Sequence, residues 1–190
     1  MKGEIHASKS WFPFVSIPVI ALLVGIALYN LKFSFKSNMG ELIARDVAQL
    51  AEIFKKINND CYILAVHGQK NPINFLNIKK DGFTGSQVGP LNLAHPLKWQ
   101  GPYQGHDLEM QDIAYMLVRT KKGYYITPGL GVKLPNGQIV GKDLLLDENA
   151  DIPALILSEL SYKGKPLAAP VQIGAAAIQP IDEQVILPEE

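Results

Sequence analysis

The chain has 190 residues, of which 47% are hydrophobic and 19% are charged, an amount of material suited to one compact domain. Eighteen basic and eighteen acidic residues cancel to a formal net charge of zero, so no overall field concentrates nucleic acid, and we expect no nucleic-acid partner. The single cysteine, Cys61, excludes an intrachain disulfide and any metal site built from several thiolates.

Residues 11–31 form an uncharged, mostly apolar run that follows a short polar segment at residues 1–10. About 20 apolar residues suffice to cross the hydrocarbon core of a bilayer. Trp11 and Tyr29 lie near the two ends of the run, where aromatic rings prefer the headgroup region. The run therefore predicts a single-pass transmembrane anchor. The residues of this predicted anchor are Trp11, Ile17, Val24, Leu28 and Tyr29.

Two other interpretations of residues 11–31 stay open. A cleavable signal peptide would also have a charged start and an apolar core, with small residues such as Gly25 and Ala27 at the cleavage site. A buried core helix is the second interpretation, since any apolar run can be one.

An amphipathic helix is predicted after the apolar run. Asn38 and Glu41 have the spacing of an N-terminal capping box, and apolar residues then recur at intervals of four and three while the opposite face is polar. The pattern lasts barely two heptads, which favours packing on the protein's own sheet over a coiled coil. The predicted helix stripe consists of Ile43, Val47, Leu50, Phe54 and Ile57.

The rest of the chain predicts a loop region and then strands. Residues 68–105 are rich in Gly and Pro and predict a long irregular segment that is either functional or packed as a compact loop. Turn signals at 120–123 and 134–137 predict hairpins. The expected fold class is α+β: an N-terminal transmembrane helix continues into an amphipathic helix packed on a small antiparallel β-sheet, in a domain at 37–160. The Pro- and Ala-rich residues 161–190 predict a flexible tail.

The segment Trp99-Gln100-Gly101-Pro102-Tyr103 lies between the loop region and the first predicted hairpin, and Gly-Tyr-Tyr-Ile-Thr-Pro-Gly follows at residues 123–129. With the order of helix, loop and sheet, these motifs resemble type IV pilins and type II secretion pseudopilins over roughly residues 12–146. The resemblance implies a membrane-anchored structural component of a secretion or pilus-type assembly in a bacterial envelope. Its implied partners are the membrane and other pilin-like subunits or copies of itself. The loop motif residues are Trp99, Gly101, Pro102 and Tyr103.

The processing site departs from the pattern of that family. Pilins and pseudopilins have a short basic leader, a glycine and an aromatic-Thr-Leu-x-Glu start, whereas Gly3 is followed by Glu4-Ile5-His6, and no glutamate lies in the first turns of the apolar run. The departure counts against prepilin-peptidase cleavage and filament assembly. It favours an alternative function, a single-pass envelope-anchored binding domain, or less readily an enzymatic one, that uses residues 68–105 as its contact surface.

Catalytic motifs are absent from the sequence. It contains no Gly-x-Ser-x-Gly, no P-loop, no His-Glu-x-x-His and no Gly-x-Gly-x-x-Gly that opens a helix. We therefore expect a protein that is not an enzyme and needs no cofactor.

One acidic loop has the composition of a calcium site. Asp147, Asn149 and Asp151 place side-chain oxygens at alternate positions, and such oxygens are the ligands that calcium prefers. Some secretion pseudopilins bind calcium in a C-terminal loop, so the resemblance points the same way. Ile152 and Ser158 stand where an EF-hand has its glycine and glutamate, and Asp151 as a helix N-cap is the competing interpretation.

Overall fold

The computed structural model describes residues 12–105 and 108–174, and the side chains of these residues except 12–16 and 31–37. The chain divides into two compact units, Met1–Asn38 and Met39–Glu190. Helix α1 comprises Phe12–Cys61. The predicted capping box is therefore wrong, because Asn38 and Glu41 lie inside α1 and not at its start.

The predicted transmembrane helix at residues 11–31 is wrong for the part of the chain that the structure describes, where no helix is long and apolar enough to cross a membrane. Side chains of this run are described only at 17–30. Trp11 lies outside the described residues. The other residues of the predicted anchor, Ile17, Val24, Leu28 and Tyr29, are exposed on α1.

Within Met39–Glu190, α1 contributes its apolar stripe to the core. All five stripe residues are completely buried, in one cluster with apolar residues of the strands. The ring of Phe54 meets Phe75 edge to face, with the ring centroids 6.0 Å apart. The stripe is buried because its spacing keeps the five side chains on one side of the helix.

The main sheet has four antiparallel strands. Its strands are β2 (Lys70–Pro72), β7 (Met116–Thr120), β8 (Gly123–Thr127) and β11 (Ala169–Val171), in the order β11-β8-β7-β2. Strands β7 and β8 form the first predicted hairpin, with Thr120 opposite Gly123. The turn at 134–137 closes a smaller hairpin, in which Lys133 forms a single bridge with Ile139.

Smaller elements complete the domain. A three-stranded antiparallel sheet contains β1 (Ile63–Val66), β4 (Leu91–Leu93) and β3 (Gln87–Val88), in that order. Two ribbons pair β5 (Glu109–Met110) with β6 (Ile113–Ala114) and β9 (Ser161–Tyr162) with β10 (Lys165–Pro166). Helix α2 comprises Ile152–Ile156, and short 3₁₀ helices comprise Phe75–Asn77 and Pro96–Lys98.

Two predictions about irregular regions need correction. The predicted loop at 68–105 contains strands β2, β3 and β4, and the last two contribute Val88, Leu91 and Leu93 to the core. The predicted flexible tail is wrong for residues 161–174, which include β9, β10 and β11, because Leu167 and Ala168 are buried. Asn58 stabilises the last of these residues, since its Oδ1 accepts from the backbone N–H of Ile63 at 3.1 Å and of Gly174 at 3.2 Å. The remainder of the predicted tail lies outside the described residues.

Candidate functional site

The segment Trp99–Tyr103, on which the resemblance to pilins rests, forms an aromatic cluster with Phe83. Trp99 is completely buried, and its indole N–H donates to the carbonyl oxygen of Ile78 at 2.9 Å. Its ring meets Tyr103 and Phe83 edge to face, with centroid separations of 4.8 and 6.2 Å. A buried indole needs a partner for its one polar atom, and Ile78 supplies it. We call Phe83, Trp99 and Tyr103 the Trp99 cluster.

The backbone beside the Trp99 cluster has room only for glycine at position 101. The peptide bond between Gly101 and Pro102 is cis. A Cβ at Gly101 would overlap the carbonyl oxygen of Ile78 and the indole nitrogen of Trp99. The Tyr103 N–H donates to the carbonyl of Leu76 at 2.8 Å. These contacts show that the motif packs the loop region onto the core.

The Trp99 cluster also touches the carboxyl end of α1. The Nζ of Lys56 lies 5.9 Å from the centroid of the Tyr103 ring. Burial, with a smaller contribution from Asp60, raises the pKa of the Cys61 thiol, which hydrogen-bonds to the Tyr103 side chain. Burial likewise raises the pKa of Tyr103. A thiol that stays protonated is a poor nucleophile, so Cys61 acts as a core residue.

A buried polar pair fixes α1 to the strands, and sequence reasoning missed it. Asp46 is 5% exposed and accepts a hydrogen bond at 3.1 Å from the hydroxyl of Tyr115, which is itself buried. Arg45 donates to the same carboxylate at 3.3 Å. The pKa of the Tyr115 hydroxyl is raised, mainly because the group is buried and to a smaller extent because the negative charge of Asp46 lies beside it. The available signal was a carboxylate directly beside Val47, on the apolar side of the helix.

An open cleft of about 560 Å³ lies between α1 and the main sheet. Its walls include Ala51, Lys55, Lys122, Tyr124 and Pro170. Each lysine has an acidic neighbour, since Lys55 lies 3.8 Å from Glu52 and Lys122 pairs with Asp151. The cleft therefore carries no excess charge that would select an ionic ligand.

Two of the three predicted calcium ligands, Asp147 and Asp151, serve as turn and helix caps. The Oδ1 of Asp147 accepts from the backbone N–H of Asn149 at 2.8 Å, and the Oδ1 of Asp151 accepts from the N–H of Ala154 at 3.2 Å. Asp151 is the N-cap of α2, as the competing interpretation predicted. The pKa of Asp151 is lowered, mainly by the hydrogen bond from Lys122 and to a smaller extent by the hydrogen bond from the backbone N–H of Ala154. Over residues 12–105 and 108–174, no group of three or more His, Cys, Asp or Glu is placed to hold a metal ion.

Residues 17–30 of α1 have the opposite character from the rest of the domain. All of them are exposed, and the large apolar side chains among them are between 49% and 71% exposed. Exposure extends around the whole helix and is not confined to one stripe. We call residues 17–30 the exposed apolar segment. Its large side chains are Ile17, Val19, Ile20, Leu22, Leu23, Val24, Ile26, Leu28 and Tyr29.

The chain matches no protein-family model, no curated protein and no solved structure.

Proposed function

We propose that the chain is a non-catalytic, pilin-like subunit that packs its exposed apolar segment against helices of other subunits, either copies of itself or related chains. The observation that carries this proposal is the concentration of exposed, large apolar side chains at 17–30. Soluble proteins rarely expose a contiguous apolar surface of this kind, and such a surface marks an interaction site. A helix that is apolar on all sides is normally buried by its surroundings.

Partner helices fit this segment better than an extended peptide does. The backbone groups of residues 17–30 are hydrogen-bonded within α1, so the segment has no free strand edge to offer. What it presents is rows of Leu, Ile and Val side chains, which pack into the grooves of a second helix. No charged residue interrupts these rows.

The domain supports a structural role. Cys61 and Tyr115, which are buried, and Tyr103, which is partly buried, have raised pKa values and hydrogen-bond partners, so these three groups are held neutral. The Trp99 cluster is committed to packing by its contacts with Ile78 and Leu76. These features favour a structural role for the domain over a catalytic one.

Cysteine crosslinking in the native cells tests the proposal. Cys61 is replaced by Ser, and single cysteines are placed in turn at each position from 17 to 30. We expect crosslinked products that recur every three to four residues, because only one side of each helix faces a given neighbour. Cysteines at Gln49 and Lys55, which are exposed on the polar face of α1, are the matched controls and should give no product.

The same experiment separates the two functions. Crosslinks to copies of this chain or to another pilin-like chain support assembly. Absence of crosslinks at every position, together with retained binding of a specific ligand through residues 68–105, would replace the proposal by the binding-domain alternative.

A further inference from the structure

The turn at 134–137 carries a reactive pair of residues that the proposed function does not use. Asn136 and Gly137 form the only Asn-Gly pair in the sequence. Asparagine before glycine is prone to lose its side-chain amide, because glycine has no Cβ to hinder attack by its backbone nitrogen. Asn136 is exposed, so water reaches it.

Four hydrogen bonds hold this pair in the folded turn. The backbone N–H of Gly137 donates to the carbonyl of Leu134 at 2.9 Å. The Oδ1 of Asn136 accepts from the backbone N–H of Gln138 at 3.1 Å. The Nδ2 of Asn136 donates to the Oε1 of Gln138 and to the carbonyl oxygen of Glu159, both at 2.9 Å. The last bond joins the turn to a residue 23 positions later in the chain.

We propose that Asn136 is a deamidation site and that the folded turn slows the reaction there. Conversion of Asn136 to aspartate or isoaspartate breaks the hydrogen bond between the turn and Glu159.

The reaction needs water and no other co-reactant. The backbone nitrogen of Gly137 gives up its proton and forms a bond to Cγ of Asn136. The bond from Cγ to Nδ2 breaks, and Nδ2 takes up a proton and leaves as ammonia. Water then opens the resulting five-membered ring at either carbonyl, which yields aspartate or isoaspartate.

The fold opposes the first of these steps. Attack requires the reacting atoms to reach a near-attack geometry at about 3–3.5 Å with aligned orbitals. The proton that Gly137 must lose is committed to Leu134, and the carboxamide that it must attack is fixed by bonds to Gln138 and Glu159. The reaction therefore has to break several hydrogen bonds before it can begin.

Conversion changes a donor into an acceptor. A carboxylate at residue 136 has no N–H, yet it would face the Oε1 of Gln138 and the carbonyl oxygen of Glu159, which both accept hydrogen bonds now. Two facing acceptors repel, and the Gln138 side chain can rotate to donate whereas the carbonyl oxygen of Glu159 cannot. The turn then loses its hydrogen bond to Glu159, while Leu134 still packs in the core.

The rate of conversion tests the first half of the proposal. The full chain is incubated folded and in concentrated urea at one pH and temperature, and conversion at residue 136 is followed by mass spectrometry of its peptide. We expect the folded chain to react at least about tenfold more slowly. Gln138→Ala should speed the folded reaction by a few-fold, whereas Gln49→Ala, an exposed change on α1, should not. Equal rates in the folded and unfolded chains would overturn the proposal.

The consequence of conversion is tested with Asn136→Asp in the full chain. We expect a lower Tm than that of the parent chain. Asn74→Asp is the matched control, because Asn74 is exposed and its side chain caps nothing. If both variants melt like the parent, the loss of the hydrogen bond to Glu159 is refuted even where the rate measurement succeeds.

Discussion

The two parts of α1 differ in whether the protein covers their apolar residues. Between Met39 and Cys61 the apolar residues from Ile43 to Ile57 at helical spacing form one stripe that the protein's own core covers completely, and Leu42 is the one large apolar side chain of that part that is exposed. In the exposed apolar segment, large apolar side chains occur on every side and none is covered. A single chain can cover one side of a helix with its own sheet, whereas a helix that is apolar all round needs surroundings on all sides. Periodicity thus distinguishes the part of the helix that packs on its own domain from the part that, in our proposal, packs on other subunits.

The largest expected effect comes from placing a charge in each part. Val47→Asp puts an unpaired carboxylate at a completely buried position and should cost about 3 kcal/mol or more, with loss of cooperative melting. Val24→Asp is the matched variant, at a position that is 52% exposed. It should leave the melting of the domain unchanged and abolish the crosslinks of residues 17–30. Circular dichroism and the crosslinking assay measure the two effects, and equal melting of both variants would contradict the comparison.

Two glycines give a second, smaller contrast. Glycine to alanine in a helix normally stabilises it by about 1 kcal/mol. At Gly40 the new Cβ would overlap the Cδ1 and Cγ atoms of the Tyr162 ring. Gly40→Ala should therefore destabilise the domain by about 1–3 kcal/mol. Gly25 has no atom within 4 Å of the equivalent position, so Gly25→Ala should leave the domain's unfolding free energy unchanged. Urea denaturation measures both, and a more stable Gly40→Ala domain would contradict the packing described.

The smallest effect concerns pH. The pKa of Tyr115 is raised in the folded chain, so its contribution to stability is complete below the unfolded value of about 10 and is lost as the pH rises above it. Tyr115→Phe should cost about 1–2 kcal/mol at neutral pH, because Asp46 loses a donor. It should also flatten the alkaline loss of stability, in which Tyr103 and Tyr125 share. Residues 17–28 contain no titratable group, so assembly through them should not follow this profile. An unchanged alkaline profile in the variant would contradict the role of Tyr115.

The sequence pattern was informative where a single physical rule decides the structure. The spacing of Ile43 to Ile57 follows the helical repeat, and the core covers those residues. The hairpin of β7 and β8 follows from the turn at 120–123. These features are local, so they can be read from neighbouring residues.

Long-range contacts were not readable in the same way. The strand β11 pairs with β8 across more than forty positions of sequence, and the Pro-rich composition around it predicts disorder. Asn58 binds Gly174, and Gly40 accommodates Tyr162, yet neither residue has a signal of its own in the sequence. The apolar run at residues 11–31 predicted a transmembrane helix because composition alone does not show what covers a helix.

The most direct test of the account is hydrogen exchange along α1. The exchange of the backbone amides is compared between the full chain isolated at low concentration and the chain in assemblies recovered from the cells that make it. We predict that the amides of residues 43–57 are protected in both samples, because the domain itself buries that stripe. Residues 17–30 should gain protection only in the assembly. Equal protection of residues 17–30 in both samples would contradict the central claim that other subunits cover them.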